Sequence, residues 1–244
     1  MRIDIYHDPV LYNAINGQKQ NDFPFYLFWA EKVRGPVLEL ACGTGRLANP
    51  LLEMGLEYTG LDQSTEYIHW CREHFSCRAH FVRGDMRGFD LKSKFDLILI
   101  GFNSFLHLYR EAEAMKCLKS VHQHLSDSGR FLVDIFVPDP EFLYRDENKN
   151  YDVLTFEHPE GGSCRVKEQT RYDIETEINH IHWYLDRGKE KEIIEYEFDM
   201  RMYYPDTMDR LLTEAGFVIQ EKWGDYDGQP FDETSPLQLY ICSV

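Results

Sequence analysis

The stretch VLELACGTGRLANPLLEMG, residues 37–55, joins a short apolar run to a helical pattern through two glycines, Gly43 and Gly45. The apolar run predicts a buried strand, and RLANPLLEMG predicts a helix that ends at Gly55. Glycine adopts positive φ at little cost and lets a ligand approach the backbone closely. The stretch therefore predicts strand, tight turn and helix, with a ligand site at the turn.

The segments on either side of this stretch repeat the alternation of strand and helix. A helix is predicted over residues 22–34 with Asp22 as its cap, and a second strand ends at Asp62. Third and fourth strands follow in AHFVRGDMRGF and FDLILIGF. A helix that stops at Gly129 leads to a fifth strand, GRFLVDIFVP. This order predicts an α/β fold, a doubly wound and mostly parallel sheet with helices on both faces.

The pattern changes after Pro138. From about residue 151 to 203, apolar and polar residues alternate, which is typical of antiparallel strands with one wet face. We interpret residues from about 141 to 203 as an antiparallel β insert that forms part of the substrate site. A last helix and two strands, FVIQEKWG and PLQLYICSV, then complete the sheet as an antiparallel hairpin. The whole chain, residues 1–244, is predicted to be a single domain.

Charge and composition restrict the partners. The net charge of −16 disfavours a nucleic-acid partner, since such affinity comes from Lys and Arg beside phosphates. No apolar run is long enough for a membrane helix, and the N-terminus does not resemble a targeting segment. We therefore expect a cytoplasmic protein with a small-molecule substrate and no membrane partner, and a homodimer stays open.

Neither a metal site nor a disulfide framework is expected. The six cysteines are scattered without a C-x-x-C pair, and we expect reduced, mostly buried thiols. His122 and His124, two apart on a helix, face different ways. His180 and His182 share a strand face, but spacing places no carboxylate or cysteine beside them.

Two aspartates accompany the glycine turn. Asp62 ends the second strand, where a carboxylate can bind both hydroxyls of a ribose. Asp85 ends the third strand, where it can accept a hydrogen bond from an exocyclic amine such as that of adenine. Singly, each also fits a helix cap or turn residue. Together with the glycines they predict a nucleoside site.

The residues alone leave two ligand classes open, a dinucleotide and S-adenosylmethionine. GTGRLA fits the G-x-G-x-x-G/A fingerprint of dinucleotide enzymes. The chain has no Tyr-x-x-x-Lys pair, however, and its predicted sheet ends in an antiparallel hairpin, which favours S-adenosylmethionine.

At this point the chain resembles the class I S-adenosylmethionine-dependent methyltransferases, with their Rossmann-like seven-stranded sheet. The resemblance lies in LELACGTGR, GLDQS, RGDMR, FDLILIGFNSFLHL and MYYPDTMDRLLTEAGFVI. Ala41 replaces the first glycine of the commonest first motif, and NSFL replaces the Asp/Asn-Pro-Pro-Tyr/Phe of DNA and protein-amide methyltransferases. The loop FNSFLHL and the insert are most similar to the small-molecule branch, including amino-sugar N-methyltransferases.

The resemblance implies S-adenosylmethionine as the cofactor and methyl transfer to nitrogen or oxygen of a small molecule such as an amino sugar. It implies cofactor contacts for one set of residues: Tyr12, Glu39, Ala41, Gly43, Gly45, Asp62, Asp85, Met86 and Asn103. His107 lies where such enzymes have a histidine near the acceptor amine, so it is the candidate base, with packing as the alternative. Asn103 equally fits a turn cap. Two other functions stay open, a non-catalytic nucleoside-binding module and an NAD-dependent oxidoreductase.

Overall fold

The structure is a computed structural model that describes residues 5–17, 19–75, 77, 79–188 and 193–244. The chain divides into two compact units. The first, here called the core unit, comprises residues 20–137 and 203–244. The second, the insert unit, comprises residues 1–19 and 138–202. The sequence analysis did not predict that the N-terminal residues group with the insert.

The core unit is built on a seven-stranded sheet with the order β10-β11-β5-β4-β1-β2-β3. Its strands are β1 (Val37–Leu40), β2 (Tyr58–Asp62), β3 (Ala79–Arg83), β4 (Phe95–Ile100), β5 (Leu125–Phe136), β10 (Val218–Trp223) and β11 (Leu237–Ser243). The first five strands pair in parallel, and β11 is antiparallel to both β5 and β10. The order reverses beside β1, so ligands are expected at its carboxyl end. The predicted fold class is confirmed.

Five helices accompany this sheet. They are α2 (Phe23–Ala30), α3 (Ala48–Glu53), α4 (Thr65–His74), α5 (Glu111–His124) and α7 (Pro205–Glu214), together with a 3-10 turn at Ser104–His107. The central strands β1 and β4 are almost wholly buried, because helices cover both faces of a doubly wound sheet.

Two predicted helix ends were wrong. The helix predicted to stop at Gly129 ends at His124, and β5 already begins at Leu125. Gly129 lies inside that strand, where a Cβ would be 2.8 Å from the Leu125 Cδ1 atom, so the glycine permits a close approach. The helix predicted for residues 22–34 covers only Phe23–Ala30, and the Asp22 side chain makes no capping hydrogen bond.

The insert unit contains a four-stranded antiparallel sheet with the order β6-β7-β8-β9. These strands are β6 (Tyr151–Glu157), β7 (Ser163–Asp173), β8 (Ile178–Asp186) and β9 (Ile194–Arg201), and the unit also holds α1 (Pro9–Asn16) and α6 (Pro140–Leu143). Asp8 caps α1 by accepting hydrogen bonds from Val10 N and Leu11 N. Leu11 and Ile15 of α1 pack in one buried cluster with Cys164 and Val166 of β7.

The cysteines and histidines bear on the metal and disulfide predictions. All six cysteines are free thiols, and only Cys77 is exposed. The spacing of residues along the chain did not place a carboxylate beside the β8 histidines, but the neighbouring strand β9 supplies two. Asp199 Oδ1 lies 2.7 Å from His180 Nδ1, and Glu195 Oε2 lies 3.2 Å from His182 Nε2. Across the described residues, however, no cluster of His, Cys, Asp and Glu has the arrangement of a metal site.

Candidate cofactor and methyl-transfer site

The glycine turn lies at the carboxyl end of β1, as predicted. Ala41, Gly43 and Gly45 all have positive φ, of 53°, 55° and 77°. Glycine suits this conformation, whereas Ala41 adopts it against the steric preference of an L-residue. A Cβ on Gly45 would lie 2.9 Å from the Phe75 ring, so a larger residue at this position requires the ring to shift.

Asp62 joins the turn to the tip of β2. Its Oδ2 accepts a hydrogen bond from Gly43 N at 2.8 Å, and its Oδ1 accepts one from Ser64 N at 2.8 Å. Burial raises the pKa of this carboxyl group, while the N–H groups of Ser64 and Gly43 oppose the rise. The two backbone contacts fix the carboxylate in one orientation and leave each oxygen a lone pair for a ligand.

Glu39 on β1 is a buried carboxyl group near the same turn. The Tyr58 hydroxyl on β2 donates a hydrogen bond to Glu39 Oε2. Burial raises the pKa of Glu39 to about 7, and the Tyr58 hydrogen bond and the Arg46 charge limit this rise.

Asp85 follows β3 and is paired with a neighbouring arginine. Arg87 contacts both carboxylate oxygens, with Nε at 3.0 and 2.9 Å and Nη2 at 2.6 Å. These hydrogen bonds lower the pKa of Asp85. Met86 lies between the two charged residues and is half-buried. The sequence analysis did not foresee that an arginine would share the proposed adenine-binding carboxylate.

The loop after β4 carries Asn103 and the 3-10 turn with His107. Phe102 and Asn103 both have left-handed φ, of 53° and 61°. Asn103 precedes the 3-10 turn, but its side chain makes no capping hydrogen bond to it. Instead, Asn103 Oδ1 accepts a hydrogen bond from Phe136 N on β5 at 2.8 Å. His107 is the last residue of the turn and is half-buried.

A family comparison matches this part of the chain. Residues 37–129, from the start of β1 into β5, match the model of the methyltransferase domain. Over this range the chain is similar to methyltransferase domains. The matched range includes Glu39, Ala41, Gly43, Gly45, Asp62, Asp85, Met86, Asn103 and His107, but not Tyr12.

Individual proteins extend the similarity beyond that range. The chain is 26% identical over 218 residues to the putative methyltransferase YqeM of Bacillus subtilis, covering 84% of this chain and 82% of YqeM. It is 26% identical over 197 residues to dTDP-3-amino-3,6-dideoxy-alpha-D-glucopyranose N,N-dimethyltransferase of Streptomyces fradiae, covering 79% and 74%. The fold matches the CcbJ methyltransferase of Streptomyces caelestis with a TM-score of 0.82 over 99% and 98% of the two chains, at 21% identity. These comparisons agree with the predicted resemblance to the S-adenosylmethionine-dependent methyltransferases.

Sequence reasoning missed an ion pair in the core unit. Arg46, directly after Gly45, donates to Asp22 Oδ1 at 2.7 Å and to Asp22 Oδ2 at 2.5 Å. The guanidinium lies between the rings of Phe23 and Phe102, at 5.1 and 4.9 Å from their centroids. Arginine next to a glycine turn was a local signal, but its partner lies 24 residues earlier in the chain.

A second missed residue is Asp134 on β5. This carboxyl group is fully buried and accepts hydrogen bonds from Tyr26, Tyr226 and the Phe102 backbone. Burial raises its pKa to about 6, which the two tyrosine hydrogen bonds partly oppose. The signal was present in FLVDIF, since a lone aspartate inside an apolar strand needs hydrogen-bonding partners.

Tyr12, the remaining predicted cofactor residue, lies on α1 in the insert unit, so its cofactor contact stays a prediction. A membrane-spanning helix is absent from the part of the chain that the structure describes.

Proposed function

We propose that this chain transfers a methyl group from S-adenosylmethionine to a small-molecule acceptor at nitrogen or oxygen, with the amine of an amino sugar or similar metabolite as the preferred acceptor. The observation that carries the proposal is the contact between Gly43 N and the Asp62 carboxylate, which brings the glycine turn and an acidic strand tip together. This arrangement suits one adenosine at the carboxyl ends of β1 and β2. The dimethyltransferase from Streptomyces fradiae supports the amino-sugar acceptor.

The residues around the turn fit the chemical groups of this cofactor. The fixed oxygens of Asp62 would accept hydrogen bonds from the ribose hydroxyls, while Asp85 and the Met86 backbone would hold the adenine. Ala41, Gly43, Gly45 and Glu39 would surround the methionine portion, with Tyr12 covering the cofactor and the Asn103 amide contacting it. When bound, the cofactor supplies a methyl group on a positively charged sulfur, already activated for in-line displacement.

The protein's own contribution is alignment and proton handling. Positioning alone is worth roughly 7–11 kcal/mol in well-oriented reactions. An amine acceptor attacks only when neutral, and His107 would take its proton, which adds a factor of about 10² to 10⁴. The neutral amine would accept the methyl group that the bound cofactor supplies on its sulfur, and its proton would leave through His107 to water.

Calorimetric titration tests the cofactor. We expect S-adenosylmethionine and S-adenosylhomocysteine to bind and NADH not to bind, which would exclude the oxidoreductase alternative. Asp62→Ala should abolish binding of the first two. Asp96→Asn is the matched control, because Asp96 also accepts a backbone N–H, from Gly35, but lies at the opposite end of the strands. Unchanged affinity in Asp62→Ala would refute the assigned ribose contact.

A methyl-transfer assay tests the acceptor. Nucleotide-linked amino sugars, free amino sugars, glycine and sarcosine would be incubated with radiolabelled S-adenosylmethionine. We expect turnover with an amino sugar and a fall of about 10² or more in kcat for His107→Ala, at unchanged cofactor affinity. Binding without turnover on any acceptor would favour the non-catalytic module instead. Location in the cytoplasm, a homodimer and the lack of a nucleic-acid partner remain predictions.

A further inference from the structure

Three donors from separate segments of the core unit converge on the Asp134 carboxylate. The Tyr26 hydroxyl on α2 donates to Oδ2 at 2.6 Å. The Tyr226 hydroxyl, from the segment after β10, lies 3.1 Å from Oδ1 and 3.0 Å from Oδ2. The Phe102 backbone N–H donates to Oδ2 at 3.2 Å. Asp134 therefore links a helix, the C-terminal part of the sheet and the loop after β4.

That loop is strained at the position where Asp134 contacts it. Phe102 and Asn103 are consecutive left-handed residues, and neither is glycine. A non-glycine residue in this region costs about 1–3 kcal/mol and persists only when its surroundings fix it. Such strain is concentrated at functional sites, so it points to a role for the loop geometry.

The surroundings do fix the loop from several sides. Besides the Phe102 contact, Asn103 N donates to the Asp134 carbonyl at 3.1 Å. Phe136 N donates to Asn103 Oδ1, and the Arg46 guanidinium stacks on the Phe102 ring. The fit is close, since a Cβ on Gly101 would lie 2.4 Å from the Tyr26 hydroxyl oxygen.

We propose that Asp134 is a positioning residue for methyl transfer, which acts with Tyr26 and Tyr226 to hold the loop at residues 101–107 in its strained geometry. This proposal rests on the proposed function, because the loop carries Asn103 and the candidate base His107. Stability alone does not explain a buried carboxylate here, since apolar residues of similar volume often stabilise a core as well or better. A carboxylate, in contrast, accepts hydrogen bonds from all three donors with its two oxygens.

Variants that remove single donors test the proposal. Tyr26→Phe and Tyr226→Phe each delete one hydroxyl, and Asp134→Asn replaces one acceptor oxygen with an amide nitrogen. The matched control is Tyr240→Phe, because Tyr240 also donates to a carboxylate, Asp209, at 2.6 Å in the same unit. That contact joins β11 to α7 and does not involve the loop.

Hydrogen exchange with S-adenosylhomocysteine present gives a readout that needs no acceptor. The amides of Phe102, Asn103, Ser104 and Leu106 are all hydrogen-bonded. We expect their exchange to accelerate by roughly tenfold or more in Asp134→Asn and Tyr226→Phe, and to stay near the wild-type rate in Tyr240→Phe. Equal exchange in all variants would overturn the proposal.

Kinetics provide the second readout. With an acceptor found in the assay above, kcat should fall roughly 10- to 100-fold in the Asp134 and Tyr226 variants, while cofactor affinity and acceptor KM change less than about threefold. A loss confined to KM or affinity would contradict a positioning role. Failure of the wild-type protein to bind S-adenosylmethionine would instead refute the proposed function, and the exchange experiment without ligand would still decide whether Asp134 holds the loop.

Discussion

Replacing Glu39 with glutamine should stabilise the protein at alkaline pH while weakening cofactor binding. Glu39 is 7% exposed, and burial raises its pKa from 4.5 to about 7. Because the folded state holds this proton more tightly than the unfolded state, the stability is fully present below pH 4.5 and declines as the pH rises through 7. Glutamine has no charge to bury and still accepts the Tyr58 hydrogen bond.

The size of the effect follows from linkage. The difference between pKa values of 4.5 and about 7, at 1.36 kcal/mol per unit, is roughly 3 kcal/mol when both states are ionised. Most of this, about 2–3 kcal/mol, develops between about pH 5 and 8.5. The free energy of unfolding of Glu39→Gln minus that of wild type should therefore rise by about this amount over the interval.

Urea unfolding at the two pH values, followed by tryptophan fluorescence, measures that difference. Glu57→Gln is the control, because Glu57 is exposed and directly precedes β2. The control should track wild type at both pH values. If the Glu39→Gln difference does not change with pH, burial of the charge is not the cause of the shift.

Cofactor affinity provides a second test, in which Glu39→Gln should weaken binding although it stabilises the fold. If the cationic ligand requires ionised Glu39, a pKa of about 7 makes wild-type affinity about tenfold weaker at about pH 6 than at about pH 8. Glu39→Gln should bind more weakly at both pH values and lose this dependence. An equal pH dependence in both proteins would show that another group is responsible.

Three further predictions concern the residues around the turn. Gly45→Ala should lower the free energy of unfolding, measured with urea, by about 1–3 kcal/mol because of the positive φ of 77° alone. Any additional loss would come from contact with the Phe75 ring, and Phe75→Ala in the same chain should recover part of it. Arg46→Met keeps an apolar stem beside Phe23 and Phe102 but leaves the buried Asp22 carboxylate unpaired. The free energy of unfolding should fall by about 3–5 kcal/mol, and Asp22→Asn in the same chain should partly restore it. A fall of less than about 1 kcal/mol would contradict this. Arg87→Ala should return the lowered pKa of Asp85 towards about 3.9 in an NMR titration, and no change would show that Arg87 is not its cause.

Local sequence patterns were sufficient for the architecture of the core unit. The turn at residues 41–45 and the carboxylate at Asp62 are read from a few adjacent residues, and the structure brings them together because parallel strands end at one edge. The end of α5 was predicted less well. Gly129 suggested a helix stop, although it lies inside β5, where a Cβ would be 2.8 Å from Leu125 Cδ1.

The missed interactions depend on pairings across long stretches of chain. Asp22 and Arg46 are 24 residues apart, and Asp134 and Tyr226 are 92 residues apart. Neither sequence separation corresponds to the repeat of a helix or a strand, so the pattern within one element does not indicate the partner. The Asp85–Arg87 pair was different, because only two residues separate its members and the sequence RGDMR already places them together.

Four buried acidic residues lie in the core unit, although burying a carboxylate opposes folding. Asp22, Glu39, Asp62 and Asp134 are each less than a tenth exposed, and of these four Asp22 forms the ion pair with Arg46. Burying carboxylates opposes folding, and an apolar core would avoid that cost. A donor with positively charged sulfur gains from such surroundings, whereas the neutral thioether left after transfer does not. The acids that oppose folding would therefore favour a positively charged donor over its neutral product.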